Sequence, residues 1–365
     1  MSTLIKKVDK LTITFLVDNT IEWMTKLPPG FTHEVRQHLA QKGHGTYDEK
    51  KCVPVLDFEN FCCGAHGFAA LIETSVEGEK ASHLTLFDTG PDSQSLVRNI
   101  KAMQVPVERI TRVITSHWHS DHTGGLLSFL ALRSSIIEST RQRAACIVDV
   151  HPDRPIARGI APPPFDKVIC AIPRDPTFEE IKNSGGDLEE GSVGHSVAGD
   201  TIWVSGEIPR KTDYEVGLLG GVRWVVKDSG SGSWVTENHI MDERYIVVDV
   251  VGKGLVIFSA CSHAGIVNVV KDAVDTFKRP IHMIIGGLHL AGPESAPIVP
   301  KTVRFLSTDL KPAPAYVLPM HCSGFHAKVA LEKALGEGCV PAGVGHKVVI
   351  LGDRAIDDRL PATAY

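Results

Sequence analysis

Apolar residues recur along the first half of the chain in short runs separated by polar turns. Short runs rich in β-branched residues are typical of strands, whereas apolar positions three and four residues apart are typical of helices. The pattern predicts strands at 68–74, 82–91 and 110–116, and helices at 93–103 and 125–135.

The second half repeats this alternation. Residues 244–260 are apolar on both sides of a turn at Gly252–Gly254, which predicts a hairpin. The pattern then predicts helices at 266–277, 303–310 and 326–337, and strands at 281–287, 315–320 and 347–353. Strands that alternate with helices predict an α/β fold.

Four of the predicted strands end next to a histidine. These histidines are His117, His263, His289 and His321. Loops at strand ends are where α/β folds place their chemistry, so we expect the functional site there.

Two stretches interrupt the alternation. Residues 25–60 are rich in proline, glycine, histidine and charge, and residues 151–240 contain several Gly/Ser-rich runs. We interpret both as insertions, mainly loops over the site that select the substrate, in a single domain that spans residues 1–365.

The amino-acid composition limits the classes of protein to which this chain can belong. The chain has 365 residues, 43% of them hydrophobic, and a formal net charge of -5. This is the composition of a globular protein with a sizeable core. The weak negative charge gives no electrostatic argument for binding nucleic acid or an anionic membrane, and a nuclease is disfavoured.

The compartment is inferred from the N-terminus and the cysteines. Residues 11–17 alternate threonine with apolar residues, which fits a strand better than a signal peptide. No apolar run has the length of a transmembrane helix. The eight cysteines include no CxxC pair, so we expect free thiols and a cytoplasmic protein.

The segment TSHWHSDHTGGL, residues 115–126, concentrates metal ligands. Residues two apart on a strand point the same way, so His117 and His119 can face one ion. After the chain turns, Asp121 and His122 can face a second ion. Imidazole nitrogen and carboxylate oxygen suit Zn²⁺, and Mn²⁺ or Fe²⁺ are alternatives. A His-rich surface loop is the alternative interpretation, which the strand before and the Gly-Gly after the cluster disfavour.

This H-x-H-x-D-H motif resembles the signature of the metallo-β-lactamase superfamily. The upstream LFDTG, with Asp88, matches its strand-end Asp-x-Gly motif. The blocks HGFAALIET, ACSHAGIVNVV, GGLHLAG and PMHCSG are similar to one branch, named for 7,8-dihydropterin-6-methyl-4-(β-ribofuranosyl)aminobenzene-5′-phosphate synthase. The resemblance implies a four-layer αββα sandwich with metals at one edge of the sheets.

The resemblance also implies further ligands. His321 fits the superfamily's late histidine, and His263 in the CSHAG block is expected to complete the first site with His117 and His119. The second site would consist of Asp121, His122 and His321. The superfamily's bridging aspartate has no counterpart, because Ala-Cys-Ser-His occupies residues 260–263. We therefore expect one or two ions.

Five other residues have side chains that could contribute to such a site. His289 is expected to line the pocket as an acid, base or substrate contact, with a structural role as the alternative. We expect structural or supporting roles for His66 and Trp118 and a solvent-exposed ring for His195. Cys261 is expected to be a small buried residue, with a thiolate ligand as the alternative.

The predicted function is a metal-dependent hydrolase of a small molecule. A metal-activated hydroxide would attack an ester, lactone, amide or phosphoester bond, and Asp121 would orient it. The alternatives are a pterin-linked transferase like the branch's namesake, or an iron-dependent oxidoreductase. The sequence does not indicate an oligomeric state.

Overall fold

The computed structural model describes residues 4–40, 47–140, 145–228 and 230–365. Parts of the two predicted insertions, residues 41–46 and 229, lie outside these ranges. Among the described residues, no helix is both long enough and apolar enough to cross a membrane.

The strands of the described residues are numbered in chain order. They are β1 (Lys10–Val17), β2 (Phe31–Thr32), β3 (Tyr47–Asp48), β4 (Val53–Pro54), β5 (Ala69–Ser75), β6 (His83–Phe87), β7 (Ile110–Ile114), β8 (Cys146–Val150), β9 (Arg158–Ile160), β10 (Cys170–Ala171), β11 (Gly186–Glu190), β12 (His195–Val197), β13 (Ile202–Val204), β14 (Gly221–Val226), β15 (Gly232–Thr236), β16 (Ile246–Val250), β17 (Gly254–Ser259), β18 (Ile281–Gly287), β19 (Tyr316–Met320) and β20 (Lys347–Leu351).

The α-helices of the same residues lie mostly between parallel strands. They are α1 (Glu34–Ala40), α2 (Ser95–Ala102), α3 (Ser120–Thr123), α4 (Leu126–Thr140), α5 (Phe178–Asn183), α6 (Ile266–Phe277), α7 (Val299–Arg304) and α8 (Phe325–Leu335).

Two large sheets form the centre of the protein. One has the strand order β11-β8-β7-β6-β5-β1-β20-β2, and the other β12-β13-β16-β17-β18-β19. Strands β6, β7 and β8 run parallel in the first sheet, as do β17, β18 and β19 in the second. The carboxyl ends of each parallel set therefore lie along one edge of its sheet.

The sheets pack face to face through one apolar layer. Phe15 and Phe87 of the first sheet and Phe258 of the second are fully buried in it. A second apolar cluster joins α2 and α4 to the outer face of the first sheet, and a third joins α6 and α8 to the second sheet. The result is the predicted α/β/β/α order of layers.

The burial of the strands explains why apolar runs in the sequence predicted their positions. Every residue of β16 and β17 is buried, because helices or the other sheet cover both faces. Such strands are continuous apolar runs. The two strands pair antiparallel across the predicted glycine turn, where Gly252 has a φ of 66°.

The region 151–240 is more ordered than the sequence indicated. It forms a separate four-stranded sheet in the order β10-β9-β14-β15, which we call the inserted sheet. It also adds β11 to the first large sheet and β12 and β13 to the second. The expectation of mainly loops was therefore wrong for this region, because strands this short give too few positions for a period to show.

Arg158 attaches the inserted sheet to the rest of the protein. Its guanidinium is buried and forms ion pairs with Asp242 (2.5 Å) and Glu237 (2.7 Å). It also donates a hydrogen bond to the carbonyl of Trp118 (2.7 Å), between the two histidines of the predicted metal motif.

We expect Arg158→Ala to lower the free energy of unfolding by about 3–5 kcal/mol, because Asp242 would be left as a buried, unpaired charge. Chemical denaturation measures this loss. The matched control is Arg174→Ala, which removes an exposed bidentate pair with Glu180 and should leave the midpoint nearly unchanged. Equal effects of the two substitutions would contradict the anchoring role.

Candidate metal centre

The predicted site residues meet at one edge of the sandwich. Asp88 follows β6 and the segment 117–122 follows β7, both in the first sheet. Cys261 and His263 follow β17 and His321 follows β19, in the second. Face-to-face packing of the sheets brings these four strand ends together.

Three imidazoles form the first group of donors. His117 Nε2 lies 3.0 Å from His119 Nδ1, and His263 Nε2 lies 3.2 Å from each of those two nitrogens. Ligands about 2.0–2.1 Å from a tetrahedral zinc ion are roughly 3.3 Å apart, so the spacing fits one ion. Burial lowers the pKa of His119 to about 3 and the pKa values of the other two well below their usual range. The rings are therefore neutral, as metal binding requires.

A second group lies beside the first. Asp121 Oδ2 is 3.2 Å from His321 Nε2 and 3.7 Å from His122 Nε2. The donor atoms of these three residues and of Cys261 all lie within 4.8 Å of one another. A carboxylate, two imidazoles and a thiol can hold a divalent ion such as zinc.

Asp88 fixes the position of His122. Its carboxylate accepts hydrogen bonds from the Ser116 backbone N–H and hydroxyl, and its Oδ2 lies 2.8 Å from His122 Nδ1. Burial disfavours the charged imidazole, but Asp121 and Asp88 outweigh it and raise the pKa of His122 to about 9. The contact leaves Nε2 of His122 directed at the second group.

Three buried carboxylates hold the loops that carry the donors. Glu243 accepts the backbone N–H groups of His263 and Ala264, at 2.7 and 2.6 Å. Asp18 accepts the N–H of His321, and Asp242 accepts that of Trp118. None of these three carboxylates was predicted from the sequence, since a bond to a distant backbone leaves no signal there.

The backbone at these strand ends is unusual. Asp88, Ser262, His289 and His321 have φ values of 60°, 61°, 48° and 42°. The left-handed region is unfavourable for residues other than glycine, and such conformations cluster at functional sites. Their coincidence at one edge marks this edge as the functional one.

Cys261 was expected to be a small buried residue, and it is buried. Its Sγ lies 3.2 Å from His122 Nε2. It also lies within 4.8 Å of the donor atoms of His117 and His263, so it is close to both groups. Cys322 Sγ lies 3.4 Å from it.

The remaining histidines differ in their surroundings. The His289 ring lies 4.4 Å from that of His263. His66 has an exposed side chain with Nε2 3.8 Å from Asp121 Oδ2. The expectation that His195 is exposed to solvent was wrong. It is half-buried and lies 2.9 Å from Asp149 Oδ2, and it belongs to neither group of donors.

A cavity of about 990 Å³ opens onto the donors. His119, Asp121, His263 and His321 form its floor. Its walls are largely apolar and include Ile160 and Ile172 of the inserted sheet region, Leu218, Phe325 and, as a cation, Lys328. Of the two predicted insertions, only 151–240 supplies residues to the described lining. This size suits a small molecule.

Comparison with known proteins agrees with these features. The family profile described as the metallo-β-lactamase superfamily matches residues 68–138, which include the H-x-H-x-D-H motif. The solved structure of Tm1679, described as a metal-dependent hydrolase of the β-lactamase superfamily, has a TM-score of 0.62 at 18% identity. The match covers 94% of this chain and 100% of that one.

Two curated proteins of Methanocaldococcus jannaschii are also similar. "Uncharacterized protein MJ0448" is 28% identical over 270 residues, 73% of this chain and 88% of that protein. The 7,8-dihydropterin-6-methyl-4-(β-D-ribofuranosyl)-aminobenzene-5′-phosphate synthase is 28% identical over 268 residues, 72% of this chain and 82% of that protein. The predicted resemblance to the superfamily and to this branch is confirmed.

We expect Asp88→Asn to weaken binding of zinc by roughly 10–100-fold, because the amide no longer holds His122 in one tautomer. Competition with a metal-binding dye measures the affinity. Asp92→Asn is the control, since Asp92 is a nearby carboxylate that instead bonds to residues 94 and 95. A similar affinity in the two variants would show that Asp88 does not position the ligand.

Proposed function

We propose that this chain, which has the metallo-β-lactamase fold, is a metal-dependent hydrolase of a small molecule. The observation that supports the proposal best is the convergence of His117, His119 and His263 at mutual distances of 3.0–3.2 Å, with His119 and His263 lining the cavity. A structural histidine cluster would not need to line a cavity of this size.

The proposed ligands form two sets. His117, His119 and His263 hold one ion, and Asp121, His122 and His321 hold the other, with zinc as the proposed metal and manganese or iron as alternatives. A bound divalent metal lowers the pKa of a coordinated water towards neutrality and polarises the bond to be cleaved.

Side chains of this chain orient the reactants. The Asp121 carboxylate is partly exposed in the cavity, where its oxygen can accept a hydrogen bond from a water molecule and so orient it. His289 lines the same cavity beside His263 and is the proposed group for proton transfer to the leaving group. The apolar walls bind the non-reacting part of the substrate and exclude water.

The substrate bond is proposed to be an ester, lactone, amide or phosphoester. Lys328 in the cavity wall favours a substrate that carries a negative charge. The named synthase relative keeps a pterin-linked transfer as the second candidate.

Removing the metal should abolish turnover. We expect EDTA or phenanthroline treatment to stop hydrolysis in a panel of esters, lactones, amides and phosphodiesters, and Zn²⁺, Mn²⁺ or Fe²⁺ to restore it. Full activity in metal-free protein would contradict the proposal. Turnover confined to a pterin diphosphate and an aminobenzene acceptor would favour the transferase.

Metal content tests the third ligand of the first set. We expect His263→Ala to lose roughly one metal equivalent and most activity, since a catalytic zinc needs three protein ligands. His195→Ala is the matched control and should retain both, because His195 bonds to Asp149 instead. Elemental analysis of the two purified variants gives the answer, and the reverse pattern would refute the assignment of His263.

A further inference from the structure

We propose that the Cys261 thiolate is a ligand shared by the two metal sites and takes the place of a bridging carboxylate. This inference rests on the proposed function, because it requires that both sets of donors hold ions.

The position of the sulfur is the first argument. Cys261 Sγ lies within 4.8 Å of the donor atoms of Asp121, His122 and His321, and within 4.8 Å of those of His117 and His263. Among the described residues, it is the side chain that belongs to both groups. A ligand common to two ions must lie close to the donors of both, and this atom does.

Charge is the second argument. Two divalent ions bring four positive charges, whereas the histidines of both sets bind a metal only in their neutral form. Asp121 is the single carboxylate in the two groups. A thiolate at Cys261 adds a second negative charge at the centre, and a thiol that coordinates a metal is deprotonated.

Local structure holds the sulfur in place. Ser262, the next residue, has a left-handed φ of 61°, and its hydroxyl donates to the carbonyl of Gly287. The N–H of Gly287 in turn donates to the carbonyl of Ala260 at 3.0 Å. These bonds fix the turn after β17, so that residues 261 and 263 both point towards the donors.

Cys322 is the rival thiol. Its Sγ lies 3.4 Å from Cys261 Sγ, and it groups with Cys261 and His289. Cys322 is not part of the cluster of donor atoms that contains Asp121 and His321, or of the cluster that contains His117 and His263. The geometry therefore assigns the bridging role to Cys261.

Cobalt substitution tests the assignment spectroscopically. The full-length protein is stripped of metal and loaded with Co²⁺ without oxygen. We expect two cobalt equivalents and a near-ultraviolet thiolate-to-cobalt charge-transfer band. Cys261→Ser should lose this band and bind the second equivalent at least about tenfold more weakly. Cys261→Asp should bind two equivalents without the band.

Cys322→Ser is the matched control and should keep the band, as should Cys339→Ser at a distant buried thiol. Loss of the band in Cys322→Ser, with retention in Cys261→Ser, would overturn the assignment. Two bound cobalt ions without any band would also overturn it, while the proposed function would stand. Failure to bind cobalt at all would refute both.

A second measurement covers the case in which Cys261→Ser does not fold. X-ray absorption of the zinc-loaded Cys322→Ser protein should show sulfur at about 2.3 Å from the metal. Purely nitrogen and oxygen neighbours in that variant would refute Cys261 as the ligand.

Discussion

The apolar layer between the two large sheets is the constraint on which the site depends. The donors come from strands of both sheets, and neither sheet supplies a complete set for the first group. His117 and His119 follow β7 of the first sheet, whereas His263 follows β17 of the second. Their nitrogens are 3.0–3.2 Å apart because buried side chains such as Phe87 and Phe258 fix the distance between the sheets. The side chains that pack the two sheets together therefore also set the spacing of the proposed metal ligands.

Buried carboxylates convert this packing into precise geometry. Asp88, Asp18 and Glu243 each accept hydrogen bonds from a loop that carries a donor. A buried carboxylate is costly unless its oxygens are paired, so these loops have one favourable arrangement. Burial raises the pKa of Glu243 to about 7, although two backbone N–H groups favour its charged form. The cost of burying these groups is offset by the large core.

Part of the fold and of the candidate site could be predicted from the sequence. Physical reasons explain which strands and site residues were predicted and which were not. Strands β16 and β17 were predictable because both faces are buried, which gives a nearly continuous apolar run. The strands β11, β12 and β13 were not, because they are short and because β11 and β12 are also partly polar. The histidine cluster was evident because its residues are adjacent in sequence. At Cys261 the sequence favoured a small buried residue over a thiolate ligand, because the proximity of this side chain to His117 and His122, more than a hundred residues away, leaves no signal in the sequence. His195 was judged exposed from its Gly/Ser-rich setting, whereas Asp149 of β8 provides its partner.

The attachment of the inserted sheet through Arg158 has a kinetic consequence. A wall that rests on a buried ion pair and on the carbonyl of Trp118 is a fixed boundary of the cavity rather than a moving lid. For the proposed hydrolase, this means that substrates are selected by how well they fit a preformed shape, and that product release does not have to wait for a closed segment to open. Trp118, the residue between His117 and His119, accepts the hydrogen bond from Arg158 that holds this wall. The shape of the cavity and the positions of the two histidines therefore depend on the same contact. If the proposed hydrolase changes specificity, its turnover is therefore expected to change together with binding.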